Sequence, residues 1–270
     1  MRKTIGKLFL ILMLLVIYAP ILILAVYSFT DSGNIGSIHG FSMQNYVTLF
    51  TKGELRDMIV GTVLLALVSS LLATILGTMG AIGAFYSKKL AKNFINTANQ
   101  IPVVNADVVT GFSICILLIV VFGVSKESYV PLVVGHVVLS APFVYLSVVP
   151  KLKQMDGSLY EAAMDLGASP FTALVKVVLP QILPGVISGF ALAITLSLDD
   201  YFIASYTKPA TFDTISTYVV NATKGSQTEI KTALWALSTV IFVIVILIVV
   251  GMNMTSKAKA RAGKAGGRYE

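Results

Sequence analysis

Charged residues are scarce in this chain of 270 residues: Asp, Glu, Lys and Arg make up 12% of it, whereas hydrophobic residues make up 56%. A soluble domain of this size does not need so much apolar surface, so the composition excludes a soluble globular protein. Several apolar runs reach the length of about 20 residues that crosses a bilayer as a helix. The sequence therefore predicts an all-α integral membrane protein.

Reactive and metal-binding side chains are also scarce. Cys115 is the only cysteine and lies in an apolar run, which excludes a disulfide framework and a cysteine-based metal site. His136 has no second histidine or cysteine placed to assist it, so a hydrogen-bonded packing role is favoured over a metal ligand. A Gly-rich phosphate loop of the Walker type is missing. We therefore expect no metal, no cofactor, no bound ATP and no catalysis in this chain.

Six apolar runs predict six transmembrane helices, at residues 8–27, 58–86, 101–124, 129–149, 185–206 and 232–254. They divide the chain into a membrane domain at 1–255 and a basic tail at 256–270, which we expect to be disordered. Six spans place both termini on the same side of the membrane.

The formal net charge is +7, and 14 of the 20 lysines and arginines lie in the termini and in the connections on the side of the termini. Basic residues are enriched in cytoplasmic connections, so this bias predicts that both termini and residues 156–185 are cytoplasmic. Because these residues cluster at the ends of spans, the charge indicates contact with membrane lipid rather than with nucleic acid.

Residues 156–185 are more polar than the runs that flank them. Ser158 followed by Glu161 has the spacing of a capping box, which predicts a helix that begins at Ser158. Gly167 is a natural end for this helix, because glycine adopts the left-handed conformation without a Cβ clash. Ser169 followed by Pro170 has the pattern of a new helix start.

The second helix of this segment is predicted to end near Leu179 and Pro180, because Pro184 disfavours a simple continuation. The expected structure is a helical hairpin outside the bilayer. From composition alone, it is either a rigid surface that another protein grips or an ordinary loop packed on its own chain.

The spacing of this segment resembles the EAA loop of ABC-importer permeases, although that family usually has isoleucine where this chain has Val177. The resemblance implies a type I importer fold with a cytoplasmic coupling helix that docks into a cleft of the ATPase subunit. The residues to which it assigns this coupling are Glu161, Ala162, Ala163, Gly167, Ser169, Val177, Leu179 and Pro180.

Carboxylates interrupt two of the apolar runs. Asp199 and Asp200 lie in the fifth predicted span, and Asp107 lies near the inner end of the third. A carboxylate deep in a bilayer costs roughly 2.5–3.5 kcal/mol, so these residues require a reason. Either they line a water-filled path for a cationic solute, together with Ser197, or they are buried against basic residues of a neighbouring subunit.

The tract Leu196-Ser197-Leu198-Asp199-Asp200, with Asp107 and the EAA spacing, is similar to the second permease subunit of spermidine/putrescine ABC importers. This resemblance implies a multi-pass protein of a bacterial cytoplasmic membrane. The implied partners are a second homologous permease, an ATPase dimer that binds the ATP, and an extracytoplasmic polyamine-binding protein. The implied substrate path comprises Asp107, Ser197, Asp199, Asp200 and Tyr46, an aromatic residue of the first outer segment.

Two other functions remain open from the sequence. The chain could be an ABC permease for another small solute, such as an amino acid or iron. It could also be a self-contained proton-coupled cation carrier in which Asp107 and Asp199 relay protons. The carrier is disfavoured because the sequence has no internal duplicate halves and because it contains the EAA pattern.

Overall fold

A computed structural model describes residues 2–30, 40–224, 233–243 and 246. The regular elements in this part of the chain are all helices, which confirms the predicted fold class. The chain divides into two compact units, one formed by residues 1–56 and 221–270 and the other by residues 57–220.

The first unit contains α1 (Arg2–Ser28), α2 (Gln44–Thr51) and α12 (Ala233–Val243). Within α1, Gly6–Ser28 is long and apolar enough to cross a membrane, which confirms the first predicted span. The ring of Tyr27 packs edge-on against Trp235 at a centroid distance of 5.6 Å. The predicted sixth span is described only in part, and the predicted tail at 256–270 lies outside the described residues.

The second unit carries the remaining helices, of which α3 begins just before it and α11 ends just after it. They are α3 (Gly53–Tyr86), α4 (Lys89–Val104), α5 (Asp107–Ile116), α6 (Val130–Gln154), α7 (Ser158–Asp165), α8 (Pro170–Ala173), α9 (Leu179–Asp199), α10 (Phe202–Thr207) and α11 (Ile215–Lys224). Short π-helical turns follow α5, at Leu117–Val121, and α8, at Leu174–Val178.

The core of the second unit is built where α3, α6 and α9 meet. Its buried members include Ala81, Val144, Val148, Leu152 and Ile182. Small and β-branched side chains dominate this core, as expected where helices approach closely in lipid. The predicted second and fourth spans are confirmed as Gly53–Tyr86 and Val130–Gln154.

The third span was predicted wrongly at its start. Residues 101–104 belong to α4, and α5 leaves α4 at an angle of 108°. The backbone is extended at Asn105 and Ala106. The Asn105 amide donates a hydrogen bond to the Thr110 hydroxyl at 3.0 Å. Asp107 begins the new helix after the bend, where a carboxylate is favoured by the helix dipole.

The fifth span was predicted wrongly at both ends. The helical run extends from Pro170 to Asp199 instead of spanning residues 185–206, so the prediction that the second hairpin helix ends near Leu179 and Pro180 is also wrong. The wider π turn at Leu174–Val178 ends two residues before Pro180, and helices within a membrane tolerate proline where neighbours satisfy the backbone. At the other end the helix stops at Asp199, and α10 begins two residues after Asp200.

Candidate functional site

The hairpin begins with an aspartate that sequence analysis overlooked. The carboxylate of Asp156 accepts hydrogen bonds from the backbone N–H and the hydroxyl of Ser158, at 3.0 and 2.8 Å. These two bonds hold the pKa of the Asp156 carboxyl below its ordinary value. Helix α7 does begin at Ser158, but the capping box predicted between Ser158 and Glu161 is not formed. Asp156 lies two residues before Ser158, and from there its carboxylate reaches both the backbone N–H and the hydroxyl of Ser158.

The turn of the hairpin is a complete Schellman motif centred on Gly167. The Gly167 N–H donates to the carbonyl of Met164 at 2.9 Å, and the Ala168 N–H donates to the carbonyl of Ala163 at 3.0 Å. Gly167 has a φ angle of +87°, a conformation that side chains with a Cβ rarely adopt. The predicted end of α7 at Gly167 is therefore confirmed, and the left-handed conformation of this glycine is its physical cause.

The second helix of the hairpin starts as predicted. Ser169 is the N-cap, its hydroxyl accepts the Thr172 N–H at 3.3 Å, and Pro170 follows as the first helical residue. The chain then passes through the π turn into α9 without leaving helical structure. The hairpin is therefore mechanically continuous with a membrane-spanning helix, because no flexible connection separates them.

Two faces of the hairpin have opposite surroundings. Tyr160, Leu174 and Val178 pack against the core formed by α3, α6 and α9. On the other face, Leu166 is 90% exposed and Phe171 is 75% exposed. We define the hairpin patch as the exposed apolar residues of this face, Leu159, Leu166, Phe171 and Val175.

The residues assigned to ATPase coupling fall on both sides of the hairpin. Glu161, Ala162, Gly167, Ser169 and Pro180 are exposed, whereas Ala163, Val177 and Leu179 are half-buried. The EAA pattern thus combines residues that face outward with residues that hold the hairpin on its own helices. An exposed apolar surface beside a carboxylate is typical of a protein interaction site.

The break between α9 and α10 separates the two neighbouring aspartates. Asp199 is exposed, whereas Asp200 is only 8% exposed. The Asp200 carboxylate accepts the Ala204 N–H at 2.7 Å and the Ile203 N–H at 3.2 Å. These are the orphan donors of a helix start, so Asp200 caps α10. Two adjacent carboxylates therefore have different surroundings.

Helix α10 is held between two other helices by close approaches. A Cβ on Gly111 of α5 would lie 2.9 Å from the Cα of Ile203, and a Cβ on Gly135 of α6 would lie 2.6 Å from its Cγ2. Larger residues at these two positions would push α10 outward. The glycines thus fix the depth at which α10, and the Asp200 that caps it, are seated.

His136 of α6 is fully buried beside Asp200. Its Nδ1 lies 2.8 Å from the carbonyl oxygen of Leu132, and its Nε2 lies 3.8 Å from Asp200 Oδ2. The expected hydrogen-bonded packing role of His136 is thus met through Leu132. The part of the chain that the structure describes contains no group of three His, Cys, Asp or Glu side chains that could hold a metal ion.

The remaining predicted path residues lie in different surroundings. Asp107 is exposed at the start of α5, within electrostatic range of Asp200. Ser197 is buried, and its hydroxyl lies 3.1 Å from that of Ser69 on α3. In this conformation Ser197 therefore contacts a neighbouring helix, and its contact with a solute stays a prediction.

Tyr46 belongs to the first unit. Its hydroxyl lies 2.9 Å from the Ser28 hydroxyl, and its ring packs against Phe29 at a centroid distance of 5.0 Å. The neighbouring Asn45 amide donates to the carbonyls of Ser28 and Thr30, at 3.0 and 2.9 Å. These bonds fix α2 on the end of α1, and the path role of Tyr46 stays a prediction.

Three residues at these sites were missed by sequence reasoning: Asp156, Ser69 and His136 as the neighbour of Asp200. A signal existed for Asp156, because an aspartate two residues before the first helical residue commonly bonds to the backbone there. Ser69 and His136 meet their partners only through helix packing, so their spacing in the sequence carried no signal.

The chain is similar to known transport proteins. Residues 73–256 match the family described as binding-protein-dependent transport system inner membrane component. The spermidine/putrescine transport system permease protein PotC of Haemophilus influenzae is 32% identical over 228 residues, which cover 84% of this chain and 87% of that protein. The putrescine transport system permease protein PotI of Escherichia coli is 31% identical over 231 residues, which cover 83% and 81%.

A solved structure shares the fold. A chain of a bacterial ABC transporter involved in the import of the acidic polysaccharide alginate superposes with a TM-score of 0.70 at 18% identity, covering 94% of this chain and 96% of that chain. At this identity the likeness concerns the fold alone. The family match covers more than half of the chain and includes the hairpin and the α9–α10 break. The chain therefore belongs to the family of binding-protein-dependent transport system inner membrane components, as a multi-pass permease subunit of the ABC importer type whose role is transport rather than catalysis.

Proposed function

We propose that this chain is the permease subunit of an ATP-driven importer of polyamines such as spermidine and putrescine. The observation that carries the proposal is the similarity to two polyamine permeases, at 32% and 31% identity over more than four fifths of the chain. Both relatives are matched across most of their own length, so the similarity concerns the whole membrane domain.

The charge of the second unit supports a cationic solute. Asp107 at the start of α5 and Asp199 at the end of α9 present exposed carboxylates, and Asp107 lies within electrostatic range of Asp200, the neighbour of Asp199. Carboxylates neutralise ammonium groups through charge-assisted hydrogen bonds, and nearby aromatic rings attract the same groups. Phe112 and Tyr206 pack edge-on with a centroid distance of 5.9 Å across the contact between α5 and α10. We assign the exposed Asp107 and Asp199 to the path, whereas the path roles expected from the sequence for Ser197, Tyr46 and the buried Asp200 stay predictions.

The hairpin patch supports coupling to a separate ATPase. Leu166 and Phe171 are too exposed to stabilise this chain, and burial of apolar side chains in a partner cleft is favourable by about 25 cal/mol per Å². A push on the patch moves α9 directly, because α8, the π turn and α9 form one helical run. ATP is bound by the partner, and its hydrolysis shifts the permease between two conformations.

The proposed assembly contains this chain, a second homologous permease, an ATPase dimer and an extracytoplasmic polyamine-binding protein. The hairpin and both termini face the cytoplasm, which the position of 14 of the 20 basic residues supports. This orientation puts the hairpin patch on the side where ATP is available. The two permeases together enclose the path, of which this chain supplies one half.

Uptake into proteoliposomes that contain the four components tests the substrate. We expect labelled spermidine to enter only with ATP and the binding protein, and unlabelled putrescine to compete with it. A basic amino acid and a ferric complex serve as control competitors and should leave uptake unchanged. Failure of either polyamine to compete, or competition by the controls, would overturn the polyamine assignment while leaving the permease family intact.

A further inference from the structure

The adjacent aspartates at the α9–α10 break differ in what surrounds them. Asp200 is buried and already accepts two backbone N–H groups, whereas Asp199 is exposed. A carboxylate whose oxygens are engaged as a helix cap has little capacity left for a solute. The same carboxylate still carries a charge that its buried site must balance.

His136 is the group placed to balance that charge. Its Nδ1 lies 2.8 Å from the Leu132 carbonyl. A carbonyl only accepts hydrogen bonds, so Nδ1 must carry a proton. In a neutral ring this leaves a lone pair on Nε2, which lies 3.8 Å from Asp200 Oδ2 and is buried without a hydrogen-bond partner among the described residues. Two acceptors facing each other in a buried site repel unless one of them gains a proton.

Other ionisable groups near this pair do not supply the missing charge. Asp107 on α5 is negative and within electrostatic range of Asp200, and Asp199 on α9 is negative as well. Lys208, after α10, forms an ion pair with Asp213 at 3.0 Å. The lysines of α6 begin at Lys151, which is 15 residues and about 22 Å beyond His136 along that helix.

We propose that His136 and Asp200 hold one shared proton, and that His136 is the positioning residue that keeps Asp200 in place as the cap of α10. A proton on Nε2 or on Oδ2 removes the repulsion between the two acceptors, which lie 3.8 Å apart, within ion-pair range. Of the two aspartates, Asp199 alone is then presented to the solute. The pair fixes the backbone at the break between α9 and α10, and so fixes the direction of Asp199.

A double-mutant cycle tests this pair in the assembled transporter. His136→Leu removes the proton partner and leaves a buried carboxylate, so we expect the maximal uptake rate to fall at least about tenfold. Asp200→Asn removes the buried charge and keeps one oxygen that can accept a backbone N–H at the start of α10, so we expect a loss of less than about threefold. The double variant His136→Leu/Asp200→Asn should recover to within about threefold of Asp200→Asn, because no buried charge remains.

Two readouts separate positioning from a merely structural role. Raising the pH removes the shared proton, so uptake by the wild type should decline on the alkaline side more steeply than uptake by Asp200→Asn. The thermal unfolding midpoint of the purified assembly should fall most in His136→Leu and should recover in the double variant, as uptake does. Asp199→Asn is the matched control, because it should leave this midpoint unchanged while raising the apparent KM.

Several results would overturn the proposal. Losses that add in the double variant, or a double variant that fails to assemble, would mean that the two residues do not share a proton. An Asp200→Asn variant with a raised KM and an unchanged maximal rate would make Asp200 a solute ligand. The uptake arms rest on the proposed polyamine transport, but the thermal midpoint does not. An assembly that carries another solute would therefore refute the proposed function without refuting the pair.

Discussion

The helical run Pro170–Asp199 ends in opposite ways. At its first end, the hairpin exposes apolar side chains such as Leu166 and Phe171 to its surroundings. At its last end, the break before α10 buries a carboxylate and an imidazole inside the chain. Each end reverses the usual distribution of polar and apolar groups, in which apolar side chains are buried and charges are exposed. The contrast supports the proposal that a partner protein completes the first end, whereas the last end is completed within the chain.

The largest effect is expected where the exposed end meets its partner. Phe171→Asp places a carboxylate in a surface that a partner cleft would bury, so we expect uptake and co-purification with the ATPase to be lost. Phe41→Asp is the matched control, since Phe41 is 76% exposed and Phe171 is 75% exposed. Phe41 lies in the first unit, in a predicted outer segment, and its substitution should leave co-purification intact. Retention of the ATPase by Phe171→Asp would show that the hairpin patch is not the coupling surface.

The next effect concerns the solute-facing side of the other end. Asp199→Asn removes an exposed charge, and we expect the apparent KM for spermidine to rise about tenfold, since a charge-assisted hydrogen bond contributes about 1.5–3 kcal/mol. The control is Asp213→Asn, which removes a carboxylate that is paired with Lys208. Initial uptake rates over a range of spermidine concentrations distinguish the two variants. An unchanged KM in Asp199→Asn would remove Asp199 from the path.

A smaller effect is expected from the turn of the hairpin. Gly167→Ala places a Cβ on a residue with a φ angle of +87°, which costs about 1–2 kcal/mol. We expect a several-fold fall in uptake and a lower thermal midpoint. Gly157→Ala is the matched control, because Gly157 has a right-handed φ of −64° and open space around it. Equal behaviour of the two variants would mean that the left-handed turn is not needed.

The smallest effect is expected at the start of the hairpin. Asp156→Ala removes the cap of α7, which is exposed, so we expect uptake to fall less than about threefold. Because its hydrogen bonds hold the pKa of Asp156 below the ordinary value, the cap is complete above the ordinary pKa of an aspartate. It is lost as the pH falls through the lowered value. The helical signal of a peptide covering residues 154–168 should therefore weaken in acid, and the same peptide with Asp156→Ala should lack that change.

The hairpin was predictable from the sequence because its determinants are local. Gly167 and the Ser169-Pro170 pair act through the conformation of the residues themselves and of their immediate neighbours. It was not predictable that the helix continues past Pro180, because the π turn before this proline depends on how Leu174 and Val178 pack on the core. The sequence therefore indicated where the hairpin begins but not that it continues into α9.

The other end was only partly predictable. Two adjacent aspartates in an apolar run predicted a special site, but treating them as neighbours on one continuous helix concealed the break at Asp200. The pairing of His136 with Asp200 joins residues 64 positions apart in the sequence. Such a contact follows from the packing of α5 and α6 against α10, which Gly111 and Gly135 allow. Sequence spacing alone carries no trace of it.

The most direct test of the account is ATP-dependent uptake of labelled spermidine into proteoliposomes, compared between the complete assembly and this chain alone. We expect uptake by the assembly that requires ATP and the binding protein, that is abolished by Phe171→Asp, and that persists when a protonophore is added. Uptake by this chain alone that a protonophore collapses would contradict it, and would make the chain a self-contained carrier.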